Sequence, residues 1–284
     1  MKEYFEYTFA ELIRRVFLIL PEPVGKLAIK ALVPLVRFLL YKRHRMMLKN
    51  LRLTFPGKSR QELMSIASRV WFNVGWGFID ALRYINSPGK ILTRVKIKDP
   101  EKFRKLLSGK TIVVSAHVGN WEILAQRLVL EGYKFGAVVR SLRNRAVDRK
   151  ITVIRESLGG RAFLEHQVGK IFSWLKNGDI LYILPDHHIA EGGLRVDFLG
   201  RPAFTSPIIT LLNKRTGCKI VPVFCVRNGR NYEIYTEDEF VPHYTGNLRQ
   251  DMSHNTEGIN KVIEKYIRTF PEQWMWLHNR WKEK

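Results

Sequence analysis

Residues 111–124, TIVVSAHVGNWEIL, constrain this chain more than any other stretch. Residues 111–115 are mostly β-branched and apolar, which predicts a short buried strand. Residues 121–131 follow as a helix. Asn120 is placed to cap it, and Glu122 sits in its first turn, where a carboxylate complements the helix dipole. A histidine, His117, thus stands where a strand ends, and a glutamate five positions later opens the next helix. In open α/β sheets the carboxyl ends of strands are where ligands bind. The pattern then alternates: strand 135–139, helix 146–158, strand 161–164, helix 167–177, strand 180–184. Such alternation predicts an α/β fold with a mostly parallel central sheet flanked by helices. Two further strands, 219–226 and 232–235, are separated by Asn228-Gly229, a hairpin signal. A last amphipathic helix, 255–270, stops at Pro271.

The first third of the chain reads differently. Phe9, Leu12, Ile13, Val16, Phe17 and Leu20 recur at helical spacing. Pro21 and Pro23 end that segment, and a second apolar segment, 24–41, is interrupted by Lys26, Lys30, Pro34 and Arg37. Neither reaches the roughly 18–20 clean apolar residues of a membrane-spanning helix. Between residues 23 and 61 there is no Asp or Glu, while ten Lys and Arg occur. Apolar helical faces edged by one sign of charge suit docking on an anionic leaflet. Residues 61–83 form another amphipathic helix, with Leu63, Ile66, Ala67, Val70, Trp71, Val74 and Phe78 on its apolar stripe. Asn86-Ser87-Pro88-Gly89 breaks it. We therefore expect an N-terminal helical, membrane-associating region over 1–95 and a catalytic α/β region over 96–284.

The whole chain of 284 residues carries 48 Lys and Arg against 26 Asp and Glu, a net charge of +22. This field favours anionic partners: a phospholipid surface, a phosphorylated substrate, an acidic carrier protein or nucleic acid. No nucleic-acid recognition motif accompanies it, and the basic residues sit beside apolar helical faces. The two cysteines, Cys218 and Cys225, lie in an apolar stretch and read as buried reduced thiols. The N-terminus lacks a basic segment before an apolar run, so no cleaved signal peptide is expected and the cytoplasmic side is the expected compartment.

Chemically, His117 is a candidate general base near neutral pH, and Glu122 a candidate acceptor for its other ring nitrogen. The block SAHVGNWE resembles the H-x4-D/E block of glycerolipid-type acyltransferases, in the form found in lipid A biosynthesis (late) acyltransferases. Other segments resemble that family in the same order. Asn50-Leu51 and Phe55-Pro56 precede the first block. Arg140 to Arg155, in VVRSLRNRAVDRKITVIRESLGG, resembles the second. Asp186, Phe198, Gly200, Ala203 and Thr205 match the third. Pro222 matches the fourth, and PEQWMWLHNRWK the closing segment. His187 and His188 depart from the family's usual Gln-Asp.

The resemblance implies transfer of a fatty acyl chain from an acyl carrier protein or coenzyme A thioester to a hydroxyl of a lipid A precursor, a phosphorylated glycolipid. A phosphatidylinositol mannoside or a lysophospholipid are the alternative acceptors, and nucleic-acid binding is the reading from another class. In the implied chemistry His117 removes the hydroxyl proton and Glu122 orients it. Arg140 and Arg155 bind an anionic headgroup or position the donor. Amides near Gly119 and Asn120 stabilise the oxyanion or bind phosphate. Asp186, at the end of a strand placed beside that of His117, is a candidate supporting carboxylate. Arg143, Arg145 and Arg149 read first as a solvated helix face. The expected setting is the cytoplasmic face of the inner membrane, peripheral or monotopic, with no cofactor beyond the thioester. No metal is expected, because successive residues such as Asp186, His187 and His188 point their side chains apart.

Overall fold

A computed structural model describes residues 2–142, 144–157, 159–189 and 191–283, without the side chains of residues 2, 3, 5, 9 and 10. Arg143 and the side chain of Phe9 therefore lie outside the described residues.

Five helices come first: α1 (Lys2–Ile19), α2 (Glu22–Leu39), α3 (Tyr41–Thr54), α4 (Arg60–Ile85) and α5 (Pro88–Arg94). Helix α4 begins with a full capping box. The Ser59 hydroxyl accepts from the Glu62 amide, and the Glu62 carboxylate accepts from the Ser59 amide. After β1 (Val95–Ile97) and α6 (Pro100–Leu106) the alternating region begins: β2 (Thr111–Val114), α7 (Trp121–Leu130), β3 (Phe135–Val139), α8 (Arg145–Glu156), β4 (Arg161–Leu164), α9 (Val168–Lys176) and β5 (Ile180–Ile183). A hairpin, β6 (Leu194–Phe198) and β7 (Arg201–Thr205), forms its own two-stranded sheet. Then come α10 (Ile208–Thr216), β8 (Lys219–Asn228), β9 (Asn231–Thr236) and α11 (Leu248–Thr269).

Seven strands form the central sheet in the order β1-β9-β8-β2-β5-β3-β4. Every neighbouring pair is parallel except β8 with β9, the hairpin turning through Gly229. The α/β architecture with a mostly parallel sheet is therefore as expected. Strands β2 and β5 are buried at every position, as a sheet covered on both faces requires. Ile112 and Val114 face one core with Leu63, Ile66, Ala67 and Val70 of α4, while Val113 faces a second core with Ile123, Leu124 and Leu128 of α7. The N-terminal region and the sheet thus share a hydrophobic core, and residue 95, the expected boundary, opens β1.

Three elements run differently from the sequence reading. Helix α11 starts at Leu248, ahead of residue 255, because Asn247 caps it and its early polar residues fill side-chain roles; Asp251, for example, accepts from Thr245. Strand β1 is three residues long and pairs only with the remote β9, so no local periodicity announces it. The β6–β7 turn uses Leu199 and Gly200, both with positive φ (55° and 79°), where a hairpin of this kind ordinarily carries Asn or Gly first. The Leu199 amide is held by the Glu264 carboxylate of α11 at 2.8 Å, a tertiary bond that stabilises the unusual turn.

Candidate active site

The C-terminal ends of three adjacent parallel strands build the site. Strand β2 leads into Ala116 and His117, β5 into Pro185, Asp186 and His187, and β3 into Arg140. Parallel pairing of β2 with β5 brings residues 69 positions apart into direct contact.

Asp186 is fully buried and grips His117 twice. The His117 Nδ1 lies 2.9 Å from Oδ1, and the His117 amide donates to Oδ2 at 3.0 Å. The Trp274 indole donates to Oδ2 at 2.8 Å. Burial alone would raise this carboxyl, but the adjoining His117 imidazole and these donors outweigh it and hold it far below the ordinary carboxylate range. An ionised carboxylate only accepts, so Nδ1 is the ring nitrogen that donates to Asp186, and in the neutral ring Nε2 is then the one with the lone pair. That is the tautomer a general base needs.

The carboxylate on Nδ1 is therefore Asp186 rather than Glu122. Glu122 stands on the first turn of α7 and is engaged by Arg155 of α8, whose Nε donates at 3.2 Å and whose Nη2 completes a two-point ion pair. The physical reason is direction. The turn through Gly119 carries the chain onto α7 before Glu122 is reached, whereas β5 ends alongside β2. Arg155, expected to bind an anion, has its charge matched by Glu122. Arg140 is 60% exposed, and its ion pair to Glu165, the one it makes among the described residues, is loose at 3.6 Å, so it stands open to an anionic group.

Gly119 and Asn120 are needed by the fold. The Gly119 amide donates to the Gln273 carbonyl at 2.9 Å and the Asn120 amide to the Cys225 carbonyl at 2.7 Å. Both are therefore spent, which corrects the expectation that they serve an oxyanion or phosphate. Asn120 caps α7 through Ile123, and its amide group donates to the Gly77 carbonyl of α4. Gly119 has φ of 64°, and a Cβ there would lie 2.0 Å from the Cys225 carbonyl oxygen, so only glycine fits. The first two helical amides, Trp121 and Glu122, are the ones a helix start leaves without an intrahelical partner.

Sequence reasoning missed what covers the other side of His117. The His187 ring stacks on it at 3.7 Å between centroids with 4° between planes, and His278 stacks on His187 at 4.1 Å and 17°. Trp121 meets His117 edge-on at 4.8 Å. His117, Asp186 and His187 offer donor atoms within 4.8 Å of one another. Imidazole lone pairs lie in the ring plane, however, and two parallel stacked rings aim theirs side by side rather than at one ion. Cys218 and Cys225 are buried free thiols; Cys225 lies on β8, and burial pushes its thiol up.

A histidine paired with a buried aspartate at the carboxyl ends of parallel strands is an arrangement suited to drawing a proton from a hydroxyl. The sequence profile of the bacterial lipid A biosynthesis acyltransferases matches residues 2–283, and the chain belongs to that family. Similar proteins include the Haemophilus influenzae lipid A biosynthesis acyltransferase, 25% identical over 239 residues (80% of this chain and 72% of that protein). The lipid A biosynthesis lauroyltransferase of Escherichia coli is 25% identical over 266 residues, covering 91% and 83%. The myristoyltransferase of the same organism is 26% identical over 233 residues, covering 80% and 72%. The chain is an O-acyltransferase of lipid A biosynthesis.

Proposed function

We propose that this enzyme transfers a fatty acyl chain from an acyl carrier protein or coenzyme A thioester to a hydroxyl of a lipid A precursor, with the His117–Asp186 pair as its base. The observation that carries this reading is the Asp186 carboxylate fixing the Nδ1–H tautomer of His117. His117 Nε2 takes the proton of the acceptor hydroxyl while its oxygen attacks the thioester carbonyl. The negative charge that forms on the carbonyl oxygen is stabilised by the N-terminal end of α7, through the Trp121 and Glu122 amides. Collapse breaks the C–S bond, and His117 returns its proton to the departing thiolate. No protein nucleophile takes part. Arg140 binds a phosphate of the glycolipid or of the donor, and the Glu122–Arg155 pair stiffens the start of α7.

The setting proposed is the cytoplasmic face of the inner membrane. No helix among the described residues is long and apolar enough to cross a membrane. The N-terminal helices instead expose Leu12, Ile19, Leu27, Leu35, Phe38 and Leu39, each more than half exposed, between basic side chains. This is the composition of a helix pair lying in an anionic interface. The +22 charge suits both that leaflet and an acidic carrier protein.

The test incubates the purified protein with acyl carrier protein and coenzyme A thioesters and three acceptors: an under-acylated lipid A precursor, a lysophospholipid and a phosphatidylinositol mannoside. Products are read by mass spectrometry, with folded His117→Ala as control. One acyl mass on the lipid A precursor, lost in His117→Ala, is the expected result. Transfer to another acceptor alone overturns the substrate, and transfer undiminished in His117→Ala overturns the mechanism.

A further inference from the structure

Three imidazoles, from positions 117, 187 and 278, form a continuous stack beneath the reaction centre. Asp186 fixes the edge of the His117 ring but leaves its plane free to rock about the line through Nδ1. Two contacts remove that freedom: His187 lies flat on one face, and Trp121 stands edge-on to the ring. His187 is held in turn by His278. The His278 ring is anchored because its Nε2 accepts the His188 backbone amide at 2.8 Å, which requires that nitrogen to be unprotonated. The His187 Nε2 is buried with no hydrogen-bond partner among the described residues. A polar nitrogen left without a partner costs stability, and its retention at this place calls for a role that the ring face performs.

We propose that His187 is a positioning residue, a neutral aromatic plate clamped between His278 and His117 that fixes the plane of the catalytic imidazole and presents a π face to the imidazolium formed during transfer. This rests on the reading of His117 as the base. Aromatic faces attract a cation held over them, and ring stacking has a defined geometry. Both properties belong to the ring and not to its nitrogens, so phenylalanine preserves them and leucine does not. The His187 ring lies directly on the His117 ring, so the effect of the plate is expected on the chemical step.

The experiment compares wild type with His187→Phe and His187→Leu for kcat and KM in the acyl-transfer assay, after thermal unfolding has shown both variants folded. In parallel, ¹H–¹³C spectra of imidazole-labelled protein, which need no substrate, follow the His117 Cε1–H signal, assigned by its loss in His117→Ala. A plate that positions His117 gives a kcat about tenfold lower in His187→Leu with KM within twofold, since small misplacements of a reacting group cost this much or more. His187→Phe then recovers most of kcat, and the His117 signal moves in His187→Leu as the ring current over it disappears. Equal kcat in His187→Leu and wild type overturns the proposal. So does an equal loss in His187→Leu and His187→Phe, which would put the role on the nitrogen. Should the wild type transfer no acyl group, or His117→Ala transfer as well as wild type, the general-base reading fails. The spectra then decide the stack alone, and an unmoved His117 signal in His187→Leu overturns it.

Discussion

Asp186→Asn separates the two carboxylates that the sequence offered as partners for His117. Three donors converge on Asp186: His117 Nδ1 on Oδ1, and the His117 amide and the Trp274 indole on Oδ2. An asparagine has one oxygen. Placed at the Oδ2 site, it satisfies two donors and turns its NH2 toward Nδ1. Placed at the Oδ1 site, it faces two buried donors with an NH2 and leaves both unpaired. Each unpaired buried donor costs about 1–3 kcal/mol, so with two of them the first orientation prevails by about 2–6 kcal/mol. It makes Nδ1 an acceptor and moves the proton to Nε2, where it blocks the base. At about 1.4 kcal/mol per factor of ten, the active tautomer falls to about a few per cent of the population or less. The lost carboxylate charge also no longer stabilises the imidazolium, and the same swap in a Ser-His-Asp triad lowers kcat by about 10⁴. We expect kcat to fall by about 10³–10⁴ with KM little changed and the protein folded, measured by single-turnover acyl transfer. Glu122→Gln, which keeps a hydrogen bond to Arg155, should cost far less. An Asp186→Asn enzyme within tenfold of wild type, beside a Glu122→Gln enzyme that is dead in kcat, would refute the assignment.

Other outcomes follow from the same geometry. Burial pushes His187 down to about 2 and His278 to about 4, so the unfolded chain binds two protons below about pH 6.5 that the folded one refuses. Stability from these rings is complete above that pH and falls on acidification by up to about 1.4 kcal/mol per pH unit for each ring; urea midpoints between pH 7 and 4.5 read the slope, and an unchanged slope in His187→Phe would contradict it. Gly119→Ala drives a Cβ into the Cys225 carbonyl and strains a positive φ, so a loss of about 3 kcal/mol or more is expected by thermal unfolding, with activity lost in proportion. Replacing Leu27, Phe38 and Leu39 together by Glu should leave the unfolding temperature near that of wild type and weaken binding to anionic vesicles by at least about a hundredfold, since burying each apolar side chain contributes about 1.5–3 kcal/mol. Unchanged cosedimentation would place the membrane face elsewhere.

Much of this protein was legible in its residues because the deciding forces were local. Strand β2 announced itself through a β-branched apolar run, α7 through Asn120 and its first-turn carboxylate, and the parallel sheet through the alternation of strand and helix periods. His117 could be placed at a strand end from sequence because the strand, the turn and the cap are neighbours in the chain. The partner of His117 could not. Glu122 and Asp186 both fit a carboxylate role on paper, and the choice depends on which chain segment β2 adopts as its neighbour, a pairing 69 residues long. The same holds for Glu122, whose partner Arg155 comes from α8, and for Gly119 and Asn120, whose amides are taken by the carbonyls of Gln273 and Cys225. The histidine stack joins residues 117, 187 and 278, which nothing in the local pattern connects. The sequence by itself determined most of the elements and put a histidine at the end of a central strand; the tertiary structure alone decided which groups face that histidine, because hydrogen bonds and ring contacts are short-ranged in space and indifferent to separation along the chain.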